Sequence, residues 1–297
     1  MKKANPLSFS AAKINNLKLR NRIIRSGCFE GMCQDGKVTD SLIEHHRRVA
    51  QGGVGMTTVA YCSVSYDGRA FGHEMLMRAE LIPDLKLMTQ AVHQEGAAAS
   101  IQTGHCGFFS NPREIGRRPL GASVKFCLFR LSLCQSMSEA QINEKIEDFG
   151  RAAEMAKGAG FDAVEIHAGH GYLLSQFLSP WTNHRRDQYG GSLENRLRFP
   201  LAVIRRVRQA VGEDFPILIK MNVSDGIRGG LELDEAVQIA QQFEAAGASA
   251  LVPSCGFTAK TPLYMMRGCV PTREMAANQT DWLLRLGMSL FGWFMVQ

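Results

Sequence analysis

No run in this 297-residue chain approaches the roughly 18 apolar residues that a membrane-spanning helix needs. The N terminus, MKKANPLSFSAAK, also lacks the apolar core of a secretory signal. Export and membrane partners are therefore not expected. Blocks of basic residues interleaved with exposed aromatics are missing as well: 34 Lys and Arg against 28 Asp and Glu leave +6, a mild excess that favours anionic ligands over nucleic acid. The eight cysteines, at 28, 33, 62, 106, 127, 134, 255 and 269, have neither zinc nor iron-sulfur spacing, and a core this large does not need disulfides. They are read as reduced thiols of a cytoplasmic protein with no metal ligands among them. There is no low-complexity tract and no GxGxxG fingerprint.

What is present is an alternation of strands and helices within a single domain, 1–297. Strands are predicted at 22–26, 54–59, 97–102, 161–166, 217–221 and 249–252, and helices at 41–51, 81–95, 139–157, 193–211 and 232–246. Leu81, Leu85, Met88 and Val92, and then Ile142, Ile146, Phe149, Ala153 and Ala156, fall at helical spacing. This order argues for a parallel sheet covered by helices. Six strand-helix units are recognisable, and a helix-like stretch at 272–286 precedes an apolar tail.

The richest segment is 161–200, where a short buried strand interrupted by Asp162 and Glu165 runs into His167, His170 and Tyr172 in a Gly-rich turn. Three polar rings at a strand's carboxyl end supply donors, acceptors and a proton source. The same trio also describes a hydrogen-bonded capping turn.

From about residue 17 to 255 the chain resembles the old yellow enzyme family of FMN-dependent NAD(P)H oxidoreductases, near its enoate and 2,4-dienoyl-CoA reductase branch. VEIHAGHGYLLSQFLSPWTNHRRDQYGGSLENRLRF carries the resemblance, with LRNRIIRS, DGKVT, GGVG and GAAASIQTGHCG in the expected order. The resemblance implies a TIM-type (β/α) barrel with six of its eight units recognisable and the last two missing. It also implies FMN at the strand mouths, NADH or NADPH as hydride donor, and an activated alkene or related electron-poor small molecule as acceptor. His167 and His170 match the pair that binds the acceptor's carbonyl oxygen, and Tyr172 matches the proton donor. Gln102 and Lys220 match the contacts to the flavin pyrimidine, although lysine stands where arginine is common. Ser26, Gly27 and Cys28 replace the usual turn beside the flavin, and Tyr61 lies near its flank, where a packing role is equally open.

Phe108 takes a place where arginine is common, which makes that edge of the pocket less cationic, and His105 matches the family pattern. Arg185, Arg186 and Asp187 before Tyr189-Gly190-Gly191 read as a salt-bridged cap, Ser192 or Asn195 as the start of the next helix, and Arg117 and Arg118 as a solvated loop. The Gly-rich strand and GRP-like turn that hold the FMN phosphate in the family are not found before Gln297. This leaves as alternatives a noncatalytic truncated barrel or interaction fragment that recruits a copy of itself or a complementing chain. More remote is a metal-assisted hydrolase using His167 and His170. An apolar tail at 286–296 and unpaired strand edges are expected to leave apolar surface unsatisfied.

Overall fold

The structure is a computed structural model and describes residues 6–261 together with Ala277, Arg285 and Leu286. The expectations placed on the helix-like stretch at 272–286 and on the tail after it therefore lie almost entirely outside the described residues. Six parallel strands form one continuous sheet: β1 (Ile24–Arg25), β2 (Met56–Ser63), β3 (Ala98–Gly104), β4 (Ala163–Ala168), β5 (Ile217–Ser224) and β6 (Ala250–Cys255). They pair in chain order, and Met75–Leu76 adds a short parallel branch on β2. Among the described residues β1 and β6 are the two ends of this path and do not pair with each other. The sheet is thus an open half-barrel.

The helices between the strands are α1 (Asp40–Gln51), α2 (Ile82–Gln94), α3 (Glu139–Gly158), α4 (Leu193–Val211) and α5 (Leu233–Ala245). Their starts are written locally. Thr39 accepts from the Leu42 N–H, Ser138 and Gln141 form a reciprocal capping box, and Ser192 accepts from the Asn195 N–H. Helix α3 turns Ile142, Phe149, Ala152, Ala153 and Ala156 inward, where they join the outward residues of the strands, such as Ile101, Val164, Ile166 and Ile219, in the main core.

Period-2 alternation sends the other strand residues to the inner face. Its lowest layer is apolar: Met56, Ala98, Ala163 and Leu218 pack with Leu19 of an antiparallel hairpin, Ala12–Ile14 with Leu17–Leu19, that plugs this end. Two residues further along β2, β3, β4 and β5 the layer turns polar, and at the strand tops stand Gln102, His167, Lys220 and Asn222. Water is excluded below and side chains with hydrogen-bonding capacity are gathered above, which is how this architecture makes a site at the carboxyl ends of its strands.

Helix limits agree with the predicted spans within about two residues. The strands differ more: β2, β3, β4, β5 and β6 run past their predicted ends by several residues because their last positions alternate polar with apolar, and the sequence pattern reads such positions as turns. His167 and Tyr61, expected beyond their strands, are therefore strand residues.

Only two residues of β1 are laddered, and β6 alternates between exposed and half-buried positions. Amide hydrogen exchange on the 297-residue protein should be about tenfold or more faster in β1 and β6 than in β4, whose six residues are all buried between paired neighbours. Equal protection of all six strands in a monomer would show that the ends of the sheet are covered.

Candidate active site

Gly27 lies in the unstructured segment after β1, and its carbonyl accepts from Lys220 Nζ at 2.6 Å. A Cβ on Gly27 would fall 2.8 Å from Gln102 Nε2 and 3.1 Å from Glu165 Oε1, so the backbone comes this close only because the side chain is absent. Gln102 donates to Glu165 Oε1 at 2.6 Å, and Lys220 Nζ stands 3.3 Å from the same oxygen. Gln102 and Lys220 are each 4% exposed. Three strands and the β1 loop thus sink an amide, an ammonium, a carboxylate and a carbonyl into one corner. Ser26 and Cys28 flank Gly27 as exposed side chains, so only the glycine reaches this corner.

His167 is 3% exposed on β4. Its Nδ1 accepts the Gly169 N–H at 3.2 Å, which leaves a neutral ring with its proton on Nε2. Burial, His170 and the Lys220 charge hold its pKa well below the ordinary histidine range. His170 follows at φ 56°, a left-handed conformation uncommon for a side-chain-bearing residue. Three contacts hold it there: its N–H donates to Asn222 Oδ1 at 2.9 Å, its carbonyl accepts from the Thr258 N–H at 2.9 Å, and its Nε2 bonds Ser254 Oγ at 2.6 Å. Burial, then the Lys220 charge, lowers its pKa to about 4.

Tyr172 precedes the short helix Leu173–Leu178, with its ring centroid 4.7 Å from His167 and 5.5 Å from Tyr61. Burial, reinforced by the nearby Cys106 and Glu74, pushes its phenol pKa well up. Tyr61, 5% exposed, has a hydroxyl without a hydrogen-bond partner among the described residues. At neutral pH the cluster therefore presents two uncharged imidazoles and a protonated phenol. His167, His170, Tyr172 and Tyr61 come together as one aromatic group, and Gln102, Lys220 and Gly27 form the polar corner beside it.

Other sequence candidates serve the scaffold. His105 accepts the Gly107 N–H on Nδ1 and turns Nε2 to Asp67 at 3.4 Å. Arg117 pairs with that same buried Asp67, so it is anchored at its charged end although its side chain is half exposed. Arg185 donates to the Ala122 and Met137 carbonyls and pairs with Asp187, which bears out the salt-bridged cap. Among the described residues, the single His/Cys/Asp/Glu group with ligand-like proximity is Glu30, His45 and His46 on the flank of α1, and it includes neither His167 nor His170.

Sequence reasoning missed Asn222, Ser254, Thr258 and Gln176. Gln176 donates to the Cys106 and Gly171 carbonyls and accepts the Phe108 N–H, stapling the β3 loop to the histidine turn. Asn222 and Ser254 had a usable signal, since each follows the inward-facing Lys220 or Val252 by two residues.

Residues 8–255 match the NADH:flavin oxidoreductase / NADH oxidase family. The chain is similar to the 4,4'-dithiodibutanoate disulfide reductase of Rhodococcus erythropolis, at 41% identity over 97% of this chain and 71% of the relative. It is also similar to an NADH oxidase of Thermoanaerobacter brockii, at 38% identity over 88% of this chain and 41% of the relative. Among solved structures, 2-naphthoyl-CoA reductase in complex with 2-naphthoyl-CoA superposes with a TM-score of 0.83 at 30% identity, over 96% of this chain and 45% of that one. The chain thus spans less than half the length of two of these three relatives.

Because His170 is depressed to about 4 from an ordinary 6.5, the unfolded chain binds more protons than the folded one between those values. Its contribution to stability is full above pH 6.5 and is lost as pH falls toward 4, by up to about 3 kcal/mol. Denaturant unfolding at stepped pH should show this slope, and His170→Asn should make it shallower, the remainder coming from His167, which is depressed too. An unchanged slope in the variant would remove His170 as its source.

Proposed function

The chain belongs to the NADH:flavin oxidoreductase / NADH oxidase family, and we propose that it reduces an activated alkene or related electron-poor small molecule, using FMN as bound cofactor and NADH or NADPH as hydride donor. The observation that carries this reading is the pairing of two pKa-depressed, neutral histidines with a protonated tyrosine at the mouth of β4, beside a buried lysine. The polar corner suits the pyrimidine edge of a flavin: Gln102 both donates and accepts, Lys220 brings positive charge, and Gly27 permits close approach of the backbone. Bound there, FMN would accept hydride from the nicotinamide and pass it to the acceptor's β-carbon.

The chain's own residues do the remainder. The His167 Nε2–H and the imidazole of His170 hold the acceptor's carbonyl oxygen and stabilise the negative charge that gathers on it. As neutral donors they do so without placing a second cation beside Lys220. Tyr172 then gives its phenolic proton to the α-carbon, which completes addition of H⁻ and H⁺ across the double bond. Tyr61 walls the site from the β2 side. The names of the relatives, a reductase of a disulfide dicarboxylate and a reductase of an aromatic thioester, support an electron-poor acceptor. A cytoplasmic setting, favoured by the dispersed cysteines, belongs to the same proposal. Among the described residues no helix is long and apolar enough to cross a membrane.

Protein loaded with FMN should show a flavin spectrum that bleaches anaerobically on adding NADH or NADPH, and folded protein without FMN affinity would refute the proposal. In stopped-flow measurements His167→Ala should slow reoxidation by an enone about 100-fold while leaving flavin reduction within a few-fold. Tyr172→Phe should impair reduction of a weakly activated enone but spare a quinone, which needs no proton placed on an α-carbon. Equal loss with both acceptors would assign the hydroxyl to anchoring the turn.

A further inference from the structure

Phe257, fully buried in the loop after β6, occupies the space a side chain at residue 171 would need: a Cβ on Gly171 would fall 2.2 Å from its ring. Gly171 is the residue between His170 and Tyr172, so Phe257 packs directly on the catalytic turn. From there the aromatic contact runs outward. Phe257 stands 6.1 Å from Phe108 and 5.2 Å, edge to face, from Trp181. At the outer end two ammonium groups meet over the Trp181 ring, Lys125 Nζ at 3.5 Å from its centroid and Lys260 Nζ at 5.6 Å. Lys125 also donates to the Trp181 carbonyl at 2.7 Å. Among the described residues neither lysine has a carboxylate partner.

Two like charges over one indole repel each other, and the pKa of Lys125 is lowered by burial first and by Lys260 second. Cation–π attraction to Trp181 offsets part of the cost, but one indole cannot neutralise two charges. Elsewhere the fold does balance such groups. Buried Lys145, for example, is met by Asp67, Glu144 and Asp148.

We propose that Lys125 and Lys260, with Trp181 beneath them, form an anion subsite at the outer end of the Phe108–Phe257–Trp181 wall, and that the acceptor reaches it with a carboxylate or phosphate while its reducible group lies at His167, His170 and Tyr172. This deepens the reading above and rests on it for the position of the reducible end. A neutral enone is held only at the histidine turn, whereas an anionic one is held at both ends.

The test is calorimetric titration of the 297-residue protein, its capacity to take up added FMN recorded beforehand, with 4-(3-oxobut-1-enyl)benzoate, the corresponding benzamide and coenzyme A as separate probes at low ionic strength. The benzoate, whose carboxylate lies across the ring from its enone, should bind about tenfold more tightly than the benzamide, the combined worth of two partly exposed ion pairs. Lys125→Met with Lys260→Met should abolish that preference while keeping the side-chain stems on Trp181. Lys260→Glu, a change at an exposed position, should reverse it. Lysine-dependent binding of coenzyme A with no preference between the benzoate and the benzamide also supports the subsite and assigns the anion to a phosphate carrier. Benzoate and coenzyme A affinities that both survive in the lysine variants overturn it. Folded protein that takes up no added FMN yet still prefers the benzoate would refute the cofactor proposal and leave the anion subsite standing, so the two failures are distinguishable.

Discussion

One carboxylate oxygen, Glu165 Oε1, holds the inner face of the half-barrel in register with its function. It accepts from the Gln102 amide and neutralises Lys220, which in turn donates to the Gly27 carbonyl, so β3, β4 and β5 meet at this atom and the loop after β1 joins them through Lys220. Glu165 is 1% exposed and Lys220 4%. Removing either member of a pair this deep would strand the other charge in a medium that solvates it poorly, a loss of roughly 3–5 kcal/mol. The pair reaches further than its own contact. Burial first, and Lys220's charge in addition, keeps both histidines neutral, so the strand next door reinforces the protonation state of the site.

Much of this was legible in the sequence, and what escaped did so for a physical reason. Helices reveal themselves through a 3.6-residue apolar stripe and through caps such as Ser138 and Ser192, and these were readable. The ends of parallel strands are different, because there the inward positions become polar just where the site begins. Tyr61 and His167 look like loop residues for that reason and are strand residues in fact. Glu165 was visible as an interruption in an apolar run, yet nothing local indicates that Gln102 and Lys220 are its partners. Such partners come from strands tens of residues away, and only the pairing of β3 with β4 and β4 with β5 brings them together.

Around the site the fold spends its charged residues in two ways. Asp67 collects His105, Arg117 and Lys145, and Arg185 collects two backbone carbonyls and Asp187. These groups tie the long connection after β3 and the peptide after β4 to the body of the protein. They make the catalytic face firm without touching the reacting centre. Lys125 and Lys260 beside Trp181 are of the other kind, with no carboxylate partner among the described residues.

His170 owes its left-handed backbone to Asn222, Ser254 and Thr258, partners 52, 84 and 88 residues further along the chain. This set of bonds cannot be complete until the chain as far as Thr258 has been made. On the ribosome the turn carrying His167, His170 and Tyr172 emerges well before the strands that lock it, and through that interval it lacks the partners that fix its backbone. The most recognisable stretch of the sequence therefore depends for its final geometry on β5 and the segment through Thr258, and not on the motif itself.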